Sequence, residues 1–136
     1  MNRFGKARRL GATLLLAGAT LTACGSATDT ISELVPPTVA ADVLEEQADV
    51  VVLDVRTPEE YADARIAGAI NVDYYAADFR DLVDELDKDT TYVLYCRSGN
   101  RSEDANRIMR DLGFAEVYEV DGGIVAWDGA GLPIER

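Results

Sequence analysis

The chain has 136 residues, which is enough for one modest domain. Its net charge of −12 argues against nucleic acid as a partner, because binding phosphates requires a surface rich in lysine and arginine. The absence of histidine excludes Ser-His-Asp and Cys-His catalysis, and with only two cysteines no zinc or iron–sulfur site and no other cofactor is expected.

Residues 1–23 are predicted to be an export signal. Four basic residues and no acid precede a run of 13 apolar and small residues, 11–23, which is too short to span a bilayer. The stretch LTAC, residues 21–24, resembles the bacterial lipobox. The resemblance implies cleavage before Cys24, lipid attachment to Cys24, and a membrane-anchored protein outside the cytoplasm. The pattern leaves the export route, Sec or Tat, and the membrane leaflet open.

Residues 24–37 are interpreted as the lipidated cysteine followed by a flexible tether, because the segment is small, polar and interrupted by prolines. An ordered arm around residues 31–35 is the alternative. If Cys24 carries lipid, Cys96 is the only free thiol. It then has no partner for a disulfide within the chain, which is typical of a reactive thiol.

Residues 38–136 alternate between helix and strand patterns. Strands are predicted over 49–55, 68–73 and 90–96, and residues 115–123 are predicted to form a strand that ends in a tight turn at Gly122 and Gly123. Helices are predicted over 39–47, 57–65, 76–86 and 101–113, with a short last helix around Trp127 followed by a tail. This alternation predicts an α/β domain with a small parallel sheet flanked by helices on both faces. Cys96 ends a strand, where such sheets bind ligands.

The stretch YCRSGNRS, residues 95–102, could activate a thiol without a histidine. Gly99 permits a positive φ, so the loop can turn several backbone N–H groups inward as an anion-binding nest. The following helix and the side chains of Arg97 and Arg101 add positive charge. These groups would lower the pKa of Cys96 and hold it as a thiolate. Such a thiolate suits an anionic or sulfur-centred electrophile.

Five segments in this order resemble the single-domain rhodaneses: LDVRTPEEY (53–61), RIAGAINV (65–72), YCRSGNRS (95–102), GFAEVYEVDGGIVAW (113–127) and GLP (131–133). The resemblance implies a sulfurtransferase that carries a persulfide on Cys96. It implies a small sulfur-containing anion such as thiosulfate as donor, and cyanide or a thiol as acceptor. It places five residues in the cradle for sulfur and donor: Arg97, Ser98, Gly99, Asn100 and Arg101. It also places Asp54 and Arg56 beside this loop, with Asp54 paired to a loop arginine.

Two other functions are compatible with the same residues. One is a sulfur-carrier or redox-sensing module that acts on a protein partner in the cell envelope without turnover. The other is hydrolysis of a phosphate ester or anhydride. Related folds that handle phosphate or arsenate place five residues between the cysteine and the loop arginine, whereas here four lie between Cys96 and Arg101, which favours sulfur. Arg65 stands where rhodaneses often have histidine, which leaves substrate preference open.

Overall fold

The computed structural model describes residues 29–136, so the predicted signal sequence and Cys24 lie outside the described residues. The strands are β1 Ile31–Val35, β2 Val51–Asp54, β3 Arg65–Ile66, β4 Ile70–Asn71, β5 Thr91–Tyr95, β6 Glu116–Val120 and β7 Ile134–Glu135. The helices are α1 Pro37–Glu46, α2 Pro58–Asp63, α3 Phe79–Asp84, α4 Asn100–Asp111 and α5 Gly123–Gly129. Within residues 29–136, no helix combines the length and the apolar character needed to cross a bilayer.

Five strands form one parallel sheet in the order β1-β6-β5-β2-β4. Helices α3 and α4 cover one face of it, and helices α1 and α5 cover the other. The prediction of a small parallel sheet with helices on both faces is confirmed. Both faces are apolar because neighbouring strand residues alternate between the two cores. In β5, Leu94 packs on the α3/α4 side while Val93 and Tyr95 pack on the α1/α5 side.

The predicted tether is wrong in its second half. Residues Ile31–Val35 form β1, an edge strand of the sheet that pairs with β6 in parallel register. Helix α1 then begins at Pro37, inside the segment predicted as tether. In β1 only Val35 is buried, and the strand mixes polar with apolar residues, so its sequence resembles a linker.

The segments around Arg65 and the chain end also differ from the prediction. Helix α2 ends at Asp63, and Arg65 begins β3. Strand β3 pairs antiparallel with β7, which lies in the predicted tail. The pairing places Arg65 opposite Glu135, and their side chains form a half-exposed ion pair at 3.2 Å. Trp127 is buried in the core on the α1/α5 side, as predicted for a core residue, and its indole N–H donates to the Pro133 carbonyl oxygen.

Candidate functional site

The sulfur of Cys96 lies at the carboxyl edge of the sheet, directly after β5. The backbone turns back at once, because Gly99 adopts a φ of +119° and caps the N-terminus of α4. This turn brings the Gly99 amide to 3.0 Å from the Cys96 sulfur, to which it donates. Helix α4 begins at Asn100, so Asn100 and Arg101 belong to its first turn and the loop itself is three residues long.

Hydrogen-bond donors lower the pKa of Cys96. Cys96 is only 1% exposed, and this burial acts in the opposite direction by raising the pKa of the thiol. The hydroxyl and amide of Ser102, together with the amides of Gly99 and Ser98, outweigh this burial, so the pKa lies below its ordinary value. The predicted nest of backbone N–H groups is therefore present. The largest lowering contributions come from these donors rather than from the charge of Arg97 or Arg101.

Arg101 closes the loop by pairing with Glu60 of helix α2. Its two terminal nitrogens donate to the two carboxylate oxygens of Glu60 at 2.7 and 2.9 Å, which is a bidentate ion pair. The hydrogen bonds from Arg101 lower the pKa of Glu60 to about 2, and Glu60 in turn raises the pKa of Arg101. Glu60 also completes a capping box with Thr57, so α2 holds the carboxylate in place for the arginine.

Asp54 does not pair with a loop arginine, so that prediction is wrong. Its partner is Arg56, two residues along the same chain, whose guanidinium approaches to 2.6 Å. Tyr95 donates a hydrogen bond to the same carboxylate at 2.7 Å. All three side chains are buried on the α1/α5 side of the sheet edge, and Tyr95 directly precedes Cys96 in the chain. Burial disfavours the charge of Arg56, but the bond and the negative charge of Asp54 prevail and its pKa is raised. The cluster stiffens the edge that supports the loop.

The remaining loop side chains point outward. Arg97, Ser98 and Asn100 are exposed. Arg97 lines a cavity of about 320 Å³ beside the loop, together with Arg56 and Arg136. Three acids share this cavity: Glu60, Asp63 and Asp128. Neither Arg97 nor Arg136 forms an ion pair within residues 29–136. Their charges are therefore available to an anion at the entrance to the site.

Gly123 fixes the base of the loop. The sequence suggested only a turn at Gly122 and Gly123. In the structure the first turn of α5 lies against the backbone of Cys96 and Arg97, and the Ile124 amide donates to the Cys96 carbonyl oxygen at 2.9 Å. A Cβ atom on Gly123 would come within 2.5 Å of two carbonyl oxygens, those of Cys96 and Arg97. Only glycine fits here, because the φ of +60° adds to this steric limit.

Three residues of the site were missed from the sequence: Ser102 and Glu119 altogether, and Glu60 as the partner of a loop arginine. Each left a signal. Ser102 lies on the same stripe of α4 as the buried Ala105 and Met109, where an apolar residue is expected. Glu119 lies two residues after the buried Val117 in β6, so it points to the same, covered face.

Comparison with known proteins agrees with this geometry. Residues 37–130 match the family described as Rhodanese-like domain. A sulfurtransferase from Allochromatium vinosum is 38% identical over 91 residues, which is 67% of this chain and 83% of that protein. The thiosulfate sulfurtransferase GlpE of Pseudomonas putida is 33% identical over 93 residues, 68% of this chain and 82% of that one.

A solved structure has the same fold. The crystal structure of a rhodanese-related protein from Thermoplasma volcanium superimposes with a TM-score of 0.62 at 35% identity, covering 71% of this chain and 93% of that one. The match over residues 37–130 includes strand β5, Cys96, the loop, helix α4 and all of helix α5. The chain therefore belongs to the rhodanese-like domain family.

Proposed function

We propose that this protein is a sulfurtransferase that moves the outer sulfur of thiosulfate, or of a similar anion, to a thiol or cyanide through a persulfide on Cys96. The observation that carries the proposal is the donor cradle around the sulfur. The Gly99 amide lies 3.0 Å from the sulfur, and the Ser102 hydroxyl and further amides lower its pKa. A thiolate stabilised in this way attacks without a general base, which fits a chain that has no histidine.

The first step forms one S–S bond and breaks another. The Cys96 thiolate attacks the outer sulfur of thiosulfate, and sulfite leaves with the electron pair of the broken S–S bond. The product is an anionic persulfide on Cys96, so the three negative charges of the reactants are conserved. In the second step the acceptor attacks the terminal sulfur and the Cys96 thiolate leaves. The cradle accepts a negative charge on sulfur at every stage, which is the requirement of this cycle.

The charges around the loop suit an anionic donor. Arg97 is exposed at the entrance, and its charge could hold the sulfonate end of thiosulfate while the outer sulfur meets Cys96. The name of the related protein from Pseudomonas putida supports thiosulfate as the donor. The short loop, with four residues between Cys96 and Arg101, favours a single sulfur atom over a tetrahedral phosphoryl group.

Mass spectrometry of the intact protein tests the persulfide. After incubation with thiosulfate and removal of excess reagent, the mass should increase by one sulfur atom. Cyanide should then remove this sulfur, with the release of thiocyanate. Cys96→Ser should show neither change, and Arg107→Ala, which replaces an exposed arginine of α4, should show both. A wild-type mass that stays constant with a reduced thiol would contradict the proposal. Sulfur uptake without turnover toward cyanide or small thiols would favour the carrier module.

We further propose that Cys24 is lipidated and anchors the domain to a membrane outside the cytoplasm. The support is the sequence LTAC and the basic and apolar segment before it. Six residues separate Cys24 from Ile31, where β1 begins, so the domain would stay within about 25 Å of the lipid. Expressed in a bacterium, the wild type should fractionate with membranes and incorporate labelled palmitate. Cys24→Ser should do neither, and recovery of the wild type free of lipid would reject the anchor.

A further inference from the structure

A chain of polar side chains, buried except for the half-buried Ser32, lies behind the sulfur on the α3/α4 side of the sheet. It runs from Ser32 in β1 through Asn106 in α4 and Glu119 in β6 to Ser102 at the start of α4. The Ser32 hydroxyl donates to the side-chain oxygen Oδ1 of Asn106 at 2.8 Å, and the side-chain nitrogen Nδ2 of Asn106 donates to Glu119 Oε2 at 3.1 Å. Glu119 Oε1 lies 2.7 Å from the Ser102 hydroxyl. The steps of the sulfur-transfer cycle do not require any of these groups except Ser102.

The Ser102 hydroxyl has one proton and three neighbours that could accept it. These are the Gly99 carbonyl oxygen at 3.0 Å, Glu119 Oε1 at 2.7 Å and the Cys96 sulfur. An ionised Glu119 would take this proton, because the charged acceptor is also the nearest one. A protonated Glu119 would instead donate to the Ser102 oxygen. The Ser102 proton would then be free to point to the sulfur.

The surroundings of Glu119 favour its neutral form. The residue exposes only 3% of its surface, and within residues 29–136 it forms no ion pair. Burial raises the pKa of Glu119, and the hydrogen bonds from Ser102 and Asn106 act in the opposite direction. The negative charges of Glu103 and Asp121 add to the effect of burial, and the pKa lies above its ordinary value. On the neighbouring strands β1 and β5, the residues in register with Glu119 are the apolar Leu34 and Leu94.

Two cations approach Glu119 from α4. Arg107 and Arg110 line a cavity that also reaches Glu119. Arg107 is paired with Glu103 and Asp104 at the surface of α4, and neither arginine bonds to Glu119. The Cys96 thiolate, beyond Ser102, adds another negative charge on this side. Asn106 is the only donor besides Ser102 that contacts the Glu119 carboxyl group among the described residues.

We infer that Glu119 is a positioning residue for Cys96: held as a neutral acid, it donates its proton to the Ser102 oxygen and so directs the Ser102 hydroxyl proton to the sulfur. The Asn106 amide holds Oε2 as the acceptor, which leaves the acid proton on Oε1, the oxygen that faces Ser102. The inference builds on the proposed function only in taking Cys96 as the nucleophile.

Glutamine imitates this state and leucine does not. In Glu119→Gln, the Asn106 amide requires an oxygen at the Oε2 position, so the glutamine NH₂ group faces Ser102 and donates as the acid does. In Glu119→Leu nothing donates to Ser102, and its proton can turn to the Gly99 carbonyl oxygen. Ser102→Ala removes the hydroxyl itself. Glu116→Leu, which replaces the other glutamate of β6 at the far end of the strand, is the matched control.

The experiment measures the rate of Cys96 alkylation by iodoacetamide from pH 5 to 10 in the purified full chain. Glu119→Gln and Glu116→Leu should keep the wild-type thiol pKa. Ser102→Ala should raise it by about one unit, a tenfold loss of thiolate below the midpoint. Glu119→Leu should raise it by a smaller amount, because the Ser102 proton is then shared between the Gly99 carbonyl oxygen and the sulfur. Adding Glu119→Leu to Ser102→Ala should not change the pKa of the Cys96 thiol any further. Alkylation does not require sulfur transfer, so this result is independent of whether thiosulfate is the donor.

Three outcomes would overturn the inference. If Glu119→Gln raises the thiol pKa as much as Glu119→Leu does, hydrogen-bond donation to Ser102 is not the cause. If both variants lower it, Glu119 acts as a negative charge. If Glu119→Leu has its full effect in the Ser102→Ala background, Glu119 acts independently of Ser102. A circular dichroism melt of each variant identifies any variant that fails to fold. The comparison of Ser102→Ala with and without Glu119→Leu then decides whether Glu119 acts through Ser102.

Discussion

Two glutamates flank the sulfur on opposite sides and behave in opposite ways. Glu60 receives both arms of Arg101, and its pKa falls to about 2. Glu119 receives one amide from Asn106, faces two acids, and its pKa is raised by burial. Their contacts in α4 are consecutive residues, Arg101 and Ser102, which project about 100° apart around the helix axis. The comparison shows that the surroundings, and not the residue type, decide in which direction the pKa of a carboxyl group near the thiol moves.

The largest effect is expected when Glu60 loses its arginine. Arg101→Ala leaves a negative charge uncompensated near a negative sulfur and removes the contact that closes the loop. We expect kcat/KM for thiosulfate to fall about 100-fold, as when one charge-stabilising donor is removed from an active site. Steady-state thiocyanate formation measures this. Arg107→Ala, an exposed arginine of the same helix, should leave the rate unchanged. A fall of less than threefold in Arg101→Ala would show that the ion pair does not contribute to catalysis.

The next largest effect is expected from a substitution at Gly123 that displaces the loop after Cys96, which lies between the two glutamates. In Gly123→Ala the new Cβ meets the carbonyl oxygens of Cys96 and Arg97 at 2.5 Å, in a backbone conformation with φ +60°. We expect a loss of about 2–4 kcal/mol in the free energy of unfolding. Urea denaturation measures it. Gly129→Ala, at the other end of α5 with open space around its Cβ, is the matched control and should not destabilise the protein.

A smaller effect is expected from neutralising Glu60. The pKa of Glu60 falls from an ordinary value of 4.5 to about 2 in the folded chain. The ion pair therefore stabilises the fold fully above about pH 4.5, and this stabilisation disappears as the pH falls through about 2. Because the pair is partly exposed to solvent, Glu60→Gln should cost only about 1 kcal/mol at pH 7 and less at pH 3. Urea denaturation at the two pH values tests this. An equal loss at both values would contradict it.

The smallest effect is expected around Glu119. Glu103 is largely exposed, and its charge raises the pKa of Glu119 through solvent. Glu103→Gln should lower that pKa by about 0.3 units or less, because water and salt screen the interaction. Carbon-13 NMR titration of the labelled glutamate carboxyls measures the shift at Glu119, and Glu60, on the other side of the loop, should not move. A shift of one unit or more would indicate that the cavity behind the loop screens charge poorly.

Local patterns in the sequence predicted most of the fold. The apolar runs in β2 and β5 indicated strands buried on both faces, and both are interior strands of the sheet. Strand β1 was interpreted as tether because its pairing partner, β6, begins 85 residues after it. The two-residue strands β3 and β7 were missed for the same reason. A strand this short is stabilised by its partner, and no pattern inside it reveals the pairing.

The candidate site was predicted in part. Cys96 at a strand end, the positive φ of Gly99 and the nest of amides all follow from the order of residues 95–101, since backbone geometry is local. Assigning Asp54 to a loop arginine was wrong, because Arg56 lies closer and occupies both carboxylate oxygens. Arg97 and Asn100 have the exposure expected of residues that meet a substrate, and their roles stay predictions.

By itself, the sequence determined the candidate nucleophile, the absence of a histidine base, the length of the loop and the layers that position it. These properties depend on residue order and on the alternation of apolar residues, which act over a few positions of the chain. Only the tertiary structure decided that Glu60 pairs with Arg101 and that Glu119 contacts Ser102. These contacts join elements 41 and 17 residues apart, and the energy of a buried charge depends on what the fold places beside it.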